Sequence, residues 1–304
     1  MKILITGGEG QLALAFKEIA PIKINNIPIK IFAPNKIALD ITNEQSCIDF
    51  ISKNRPDWIV NGGAFTNVDK AEKYPQNAYL VNGYGPLFLS NAIKKYGGKL
   101  IQISTDFVFD GKKGSPYEIN DKRNPLSIYG KSKEQGEIAV EEILHPTCDG
   151  LILRTSWLVG PYRSNFLLTI IKLLKTKNKI NVIDDQFGCP TSTYTLAMVI
   201  WMLIEKYSHK ENSLIPYLHC CDDGETSWFK FALHIKDIAE EISLIGKGAE
   251  IVPIKTSMYN SLATRPKYSL LDNNLAKRKL TYESIHWEIT IRNILLKILS
   301  NKEL

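Results

Sequence analysis

The segment Lys2-Ile3-Leu4-Ile5-Thr6-Gly7-Gly8-Glu9-Gly10-Gln11-Leu12-Ala13 decides the fold. Its first five residues read as a short buried strand, and a G-x-x-G-x-x-A loop follows at once. Gly7 permits a tight turn, Gly10 lets the backbone approach a pyrophosphate, and Ala13 is small enough for a helix to pack on the strand. Residues 11–20 read as that helix, its N-terminus aimed at the phosphates. This is a variant of the dinucleotide fingerprint; taken alone it is equally a plain tight connection.

The rest of the first half repeats the pattern. Apolar runs at 30–32, 58–61, 100–104 and 151–154 alternate with helical patterns at 43–54, 69–96, 129–143 and 165–176. That alternation predicts an α/β fold, a Rossmann-type parallel sheet doubly wound with helices on both faces. Pro75 and residues 83–86 are expected to break the long helical region, and 110–125 to form an exposed loop. After about residue 155 the alternation decays. Strand-like pieces at 180–183 and 251–254 mix with helices at 192–207, 227–243 and 285–298.

With 304 residues, 44% hydrophobic and 23% charged, the chain has ordinary globular composition and room for one large domain or two moderate ones. Its longest strongly apolar stretch, residues 197–204, is too short to span a bilayer. Met1-Lys2 runs straight into a strand, so no signal peptide is expected. The cysteines (Cys47, Cys148, Cys189, Cys220, Cys221) show no C-x-x-C spacing, and the histidines (His145, His209, His219, His234, His286) are scattered. A reducing, cytoplasmic setting without a metal centre is expected. The net charge of +6 comes from dispersed lysines. It fits an enzyme whose ligands carry phosphates and argues against a nucleic-acid surface.

Two further stretches carry chemistry: Ser104-Thr105-Asp106-Phe107, and Tyr129-Gly130-Lys131-Ser132-Lys133. Tyr129 and Lys133 stand four residues apart and share one helix face. A free tyrosine, with a pKa of about 10, is a sluggish acid or base near neutrality. A lysine ammonium beside it is expected to favour the phenolate. Thr105, at the end of an apolar run, aims its hydroxyl at the same oxygen. The pair by itself also reads as a solvated helix face; the order strand, glycine loop, Ser-Thr-Asp, Tyr-x-x-x-Lys is what points to hydride chemistry on a carbonyl.

In this order the motifs resemble the extended short-chain dehydrogenase/reductases, and within them the dTDP-4-dehydrorhamnose reductase family. The resemblance runs through residues 61–72 (NGGAFTNVDKAE), 104–109 (STDFVF), 129–133 (YGKSK), 154–157 (RTSW), 182–191 (VIDDQFGCPT) and 264–266 (TRP). It implies a dinucleotide-binding domain at 1–155 and a smaller, mainly substrate-binding domain at 156–304, with some segments returning to the core. It implies Tyr129, Lys133 and Thr105 as catalytic residues. Gly7, Gly10, Gln11 and Leu12 are implied at the pyrophosphate, Asp40 and Ile41 at the adenine end, and Ala64, Phe65 and Thr66 along the nicotinamide half. The implied substrate is a nucleotide-activated 4-keto-6-deoxyhexose, touched by Thr105, Asp106, Trp157, Asn165, Gln186 and Arg265. The segment Ala33-Pro34-Asn35-Lys36 lacks the carboxylate that would bind ribose hydroxyls, which favours NADPH with NADH tolerated.

Some members of that family are described as magnesium-linked homodimers. The positions expected to carry the interface glutamates hold Ala15 and Lys297, so no metal is expected, and a homodimer is left open. Four other readings compete. A 4,6-dehydratase needs an Asp-Glu pair where Asp106 is followed by Phe107. An epimerase or another 4-ketoreductase shares the Tyr/Lys/Thr set. A non-catalytic dinucleotide-binding regulatory subunit would not need that set intact.

Overall fold

The apolar runs assemble into one six-stranded sheet. Its strands are β1 (Lys2–Thr6), β2 (Lys30–Phe32), β3 (Trp58–Asn61), β4 (Lys99–Thr105), β5 (Gly150–Thr155) and β6 (Tyr217–His219), in the spatial order β6-β5-β4-β3-β1-β2. The computed structural model describes residues 1–208 and 213–301, so His209 lies outside the described residues. Every pairing in this sheet is parallel; Ile3 lies beside Trp58, and Thr105 beside Thr155. β3 and β5 are buried at every residue, as strands covered on both faces must be.

The helices include α1 (Gln11–Glu18), α2 (Glu44–Asn54), α3 (Val68–Lys73), α4 (Gly85–Tyr96), α5 (Ile128–Leu144), α6 (Phe166–Thr176), α7 (Thr193–Lys206), α8 (Trp228–Glu241) and α9 (Trp287–Ser300). α1 and α7 share a core with Ile3 and Ile5, where Phe16 stacks on Trp201 at 4.1 Å. Residues of α2, α4 and α5 (Ile51, Leu89 and Val140) pack with Leu4 and Ile59 in a separate core. A third core joins α6, α8 and α9 to the parallel pair Lys179–Ile183 and Glu250–Ile254. The sheet is therefore doubly wound, and the switch in strand order on either side of β1 opens a crevice at the carboxyl ends of β1 and β3.

The helical region at 69–96 departs from expectation. α3 ends at Lys73, and Pro75 opens a short helix, Pro75–Tyr79, at a position where its missing N–H costs nothing. Residues Leu80–Tyr84 do not break the chain; they form a π-helical turn that runs on into α4. Single π turns of this kind commonly mark functional sites. Here Asn82 within the turn accepts from the Phe65 N–H at 2.8 Å and donates to the Phe65 carbonyl at 3.0 Å. β6 and the short helix Asn274–Leu280 have no counterpart among the expected elements. Among the described residues no helix is long and apolar enough to cross a membrane.

Candidate active site

The glycine turn behaves as its spacing requires. Gly7 has φ +65°, and a Cβ there would stand 3.0 Å from the backbone of Gly63 on the neighbouring loop. Gly10 caps α1 without any side-chain hydrogen bond, so the first N–H groups of the helix face the crevice unclaimed by a cap. The crevice has a volume of about 520 Å³ and takes in Gly7, Gly10, Gln11, Leu12, Ala64 and Thr66 at one end and Thr105, Tyr129, Lys133 and Trp157 at the other. Residues from separate segments of the chain thus share one cavity.

A chain of buried hydrogen bonds sets its floor. Thr6 Oγ1 donates to Asn61 Oδ1 at 2.5 Å and accepts from the Gly63 N–H at 3.0 Å. Asn61 Nδ2 donates to Gln102 Oε1 at 2.7 Å, and Gln102 Nε2 to the Ile103 carbonyl at 2.8 Å. That carbonyl also accepts from Lys133 Nζ at 2.6 Å. The expectation that Lys133 would act directly on the phenol is thereby corrected: its ammonium is anchored on β4. Burial brings Lys133 down to about 8, against the opposing pull of the Glu137 carboxylate.

The same correction applies to Tyr129. Burial pushes its phenol up to about 12; the Thr105 hydroxyl works against that rise, and the Asp106 charge adds to it. The side chain therefore carries its proton throughout the neutral range. Its ring meets Phe107 edge-on at 5.5 Å. Gly130, the next residue, packs so tightly that a Cβ would lie 2.3 Å from the Phe107 carbonyl oxygen. α5 is seated by this contact and by its cap, Ser127, which accepts from the Gly130 N–H at 3.1 Å. Asp106 is buried, accepts from Thr105 Oγ1 at 3.0 Å, and is raised by burial to about 6.

Behind Tyr129 and Lys133 lies an ionic network that sequence reading missed. Glu137 is fully buried and takes Arg154 Nε at 2.9 Å, Arg154 Nη2 at 2.7 Å, Arg123 Nη1 at 3.0 Å and the Ser104 hydroxyl at 2.5 Å. Burial alone would raise the Glu137 carboxyl, but Arg154, Ser104 and Arg123 hold it below the usual carboxylate range. It joins α5, which carries Tyr129 and Lys133, to β4 and β5.

The remaining expected residues divide. Trp157 lines the crevice in a left-handed conformation, φ +44°, and stacks on Trp228 at 3.5 Å with 7° between planes. Beyond that pair lies a recess of about 300 Å³ that includes Gln186, Arg265, Trp228 and Tyr259. Asn165 is engaged by the fold itself. It caps α6, accepting from the Leu168 N–H at 3.1 Å, and donates to the Gly160 carbonyl at 2.9 Å and to Gln11 Oε1 at 3.2 Å. Asp40 holds Thr42 through its N–H at 3.0 Å and its hydroxyl at 2.7 Å, and Ile41 is buried; Asn35 and Lys36 line the crevice at that end. Phe65 is fixed by Asn82, which also donates to Ser132 at 3.0 Å. Arg163, unanticipated, reaches the Glu9 carbonyl at 2.7 Å beside the glycine turn.

Among the described residues no group of His, Cys, Asp and Glu is placed to hold a metal ion. Ala15 is buried, and Lys297 pairs with Glu18, which also accepts from Tyr162 at 2.8 Å and Tyr194 at 2.7 Å.

The model of the RmlD substrate binding domain family matches residues 1–300. The chain is 33% identical to a dTDP-4-dehydrorhamnose reductase of Aggregatibacter actinomycetemcomitans over 96% of its own length and 98% of the relative's. It is 34% identical to the spore coat polysaccharide biosynthesis protein SpsK of Bacillus subtilis, over 97% and 96% of the two chains. The crystal structure of a Bacillus anthracis dTDP-4-dehydrorhamnose reductase in complex with NADP superposes with a TM-score of 0.87 at 33% identity, covering 97% of this chain and 99% of that one. Matched by the family model from Met1 to residue 300, and by relatives along nearly their whole length, the chain belongs to the RmlD substrate-binding-domain family.

Proposed function

We propose that the chain reduces the C4 ketone of a nucleotide-activated 4-keto-6-deoxyhexose, converting dTDP-4-dehydro-L-rhamnose to dTDP-L-rhamnose for cell-surface polysaccharide synthesis. The single observation that carries the reading is the meeting of Thr105, Tyr129 and Lys133 in one crevice, with Tyr129 held in its protonated form. NADPH supplies the hydride when bound. Gly7, Gly10, Gln11 and Leu12 hold its pyrophosphate, and Ala64, Phe65, Thr66 and Lys133 its nicotinamide half. Tyr129 gives its proton to the sugar oxygen as charge builds there, and Thr105 donates a hydrogen bond to the same atom. Asp106 and Trp157 bound the sugar, while Gln186 and Arg265 serve the diphosphate and nucleoside half. The test is consumption of NADPH by the purified chain with the keto-sugar nucleotide; a chain that interconverts sugars with no net consumption is an epimerase instead.

The similarity to the spore coat polysaccharide protein, as high as that to the reductase, favours a second reading in which the reaction is kept and the sugar differs. Product analysis across several 4-keto sugar nucleotides separates the two.

The cofactor end and the lysine each carry an expected result. NADPH is preferred over NADH, because Lys36 lines the crevice at the adenine end, where the nearest carboxylate, Asp40, stands 3.9 Å from its ammonium and pairs with it. Lys36→Ala lowers the preference about tenfold, the worth of one charged hydrogen bond; a wild type that strongly prefers NADH contradicts this. Lys133, brought down to about 8, loses its charge as pH rises through that value, whereas Tyr129 keeps its proton. The kcat/KM profile therefore falls on the alkaline side from about pH 8. A profile with no such fall above that pH removes Lys133 from the account.

A further inference from the structure

Asp69 lies in the first turn of α3, three residues beyond Thr66 of the crevice, yet its partners come from the far end of the chain. One carboxylate oxygen accepts from the Ser261 hydroxyl at 2.9 Å and from the N–H groups of Leu262 and Ala263, each at 3.1 Å. The other oxygen takes Arg265 Nη2 at 2.7 Å, and Arg265 Nη1 also reaches the Ser261 hydroxyl. These bonds gather the segment 256–266 onto the dinucleotide-binding side of the molecule. Its other end is tied to the opposite side, where Asp185 accepts from the Thr256 N–H at 2.8 Å and hydroxyl at 2.6 Å, and Gln186 donates to that hydroxyl at 3.1 Å. The segment is thus a strap fastened at both ends by aspartates.

Tyr259, between the fastenings, and Arg265, at the Asp69 end, both line the recess beyond the Trp157–Trp228 stack. Met258, Tyr259 and Leu262 are themselves largely exposed, so the strap has little apolar burial of its own to keep it in place. An isolated surface ion pair would be worth little. A carboxylate that organises two consecutive backbone N–H groups, a hydroxyl and a guanidinium orders a whole loop, and ordering before binding lowers the entropy a ligand must overcome.

We propose that Asp69 is a positioning residue for substrate: it clasps the strap and thereby fixes Arg265 and Tyr259 for the nucleoside diphosphate half of the ligand. This rests on the substrate reading given above. Arg265 keeps further N–H donors beyond those bound to Asp69 and Ser261, and a diphosphate oxygen is their fitting acceptor. Asp69 touches no reacting atom, so its loss acts on affinity before rate. Burial tends to raise its carboxyl, but Arg265, Ala263 and Ser261 bring it below the usual range, so the clasp stays closed at neutral pH.

The test compares the full-length wild type, Asp69→Ala and Asp69→Asn, each with NADPH bound, by titration with dTDP and by chymotrypsin cleavage after Tyr259. Asp69→Ala is expected to weaken dTDP binding at least about tenfold and to speed cleavage, with the dissociation constant for NADPH held. In turnover it raises KM for the sugar nucleotide much more than it lowers kcat. Asp69→Asn retains an acceptor for Ser261 and the two N–H groups, and is expected to recover most of the affinity and the protection. Unchanged dTDP affinity and unchanged cleavage in Asp69→Ala overturn the inference. So does a loss of kcat with KM unmoved, which marks a merely structural role. A wild type with no affinity for dTDP, while Asp69→Ala is still cleaved faster, overturns the substrate reading and the binding half of this inference with it, and leaves the clasp as a fact of the fold.

Discussion

Replacing Tyr129 by Phe lowers kcat by a factor of about 10² to 10⁴, the usual worth of a positioned proton donor. The dissociation constant for NADPH stays nearly constant. The substitution keeps the ring and its edge contact with Phe107, so α5 and the seat of Gly130 are preserved. What disappears is the phenolic proton. Burial holds that proton to about pH 12, so the deficit is the same across the neutral range. Stopped-flow single turnovers separate this loss from product release. Wild-type turnover in Tyr129→Phe means that another group delivers the proton, and the assignment fails.

The second large effect is on stability. Glu137→Gln leaves Arg154, itself buried, facing a neutral amide, and an uncompensated buried charge costs about 3–5 kcal/mol. Denaturant unfolding at pH 7 should show this as a lowered midpoint with an unchanged slope. The double variant Glu137→Gln with Arg154→Met should recover part of the loss, because neither charge is then stranded. The pH dependence has a definite sign. Glu137 sits below its ordinary value in the folded chain, so its contribution is present above about pH 4.5 and is lost as pH falls through its folded-state value. Acid should therefore weaken the wild type more than the Gln variant. Equal stability of the two at pH 7 would show that the network is a bystander.

The local signals are legible in the sequence because each acts within a few residues. Gly7 needs its positive φ, Tyr129 and Lys133 need one helical turn between them, and the buried strands need their apolar runs. What escapes is built from distant parts. Asn82 works through a π turn that no periodicity announces, and Glu137 draws partners from β4, β5 and the loop at Arg123. Asp69 reaches across 192 to 196 residues of chain to Ser261 and Arg265. Trp228 matters only because it stacks on Trp157. β6 is three residues long, too short for alternation to register. Spacing puts Lys133 in the correct cavity but names the wrong partner, since it fixes a helix face and not the carbonyl of Ile103 on the strand behind it. Asn165 and Asp40 are claimed locally for a related reason: short polar side chains satisfy nearby backbone first.

The proposed reaction reduces a ketone at one carbon held between Thr105 and Tyr129. The most direct measurement supplies NADPH deuterated at the transferring position, with dTDP-4-dehydro-L-rhamnose, and follows the product by NMR. The account predicts stoichiometric loss of the reduced cofactor and deuterium at C4 of the sugar alone, with both suppressed in the Tyr129→Phe variant. Deuterium at another carbon, or sugar turnover with the cofactor unchanged, contradicts it.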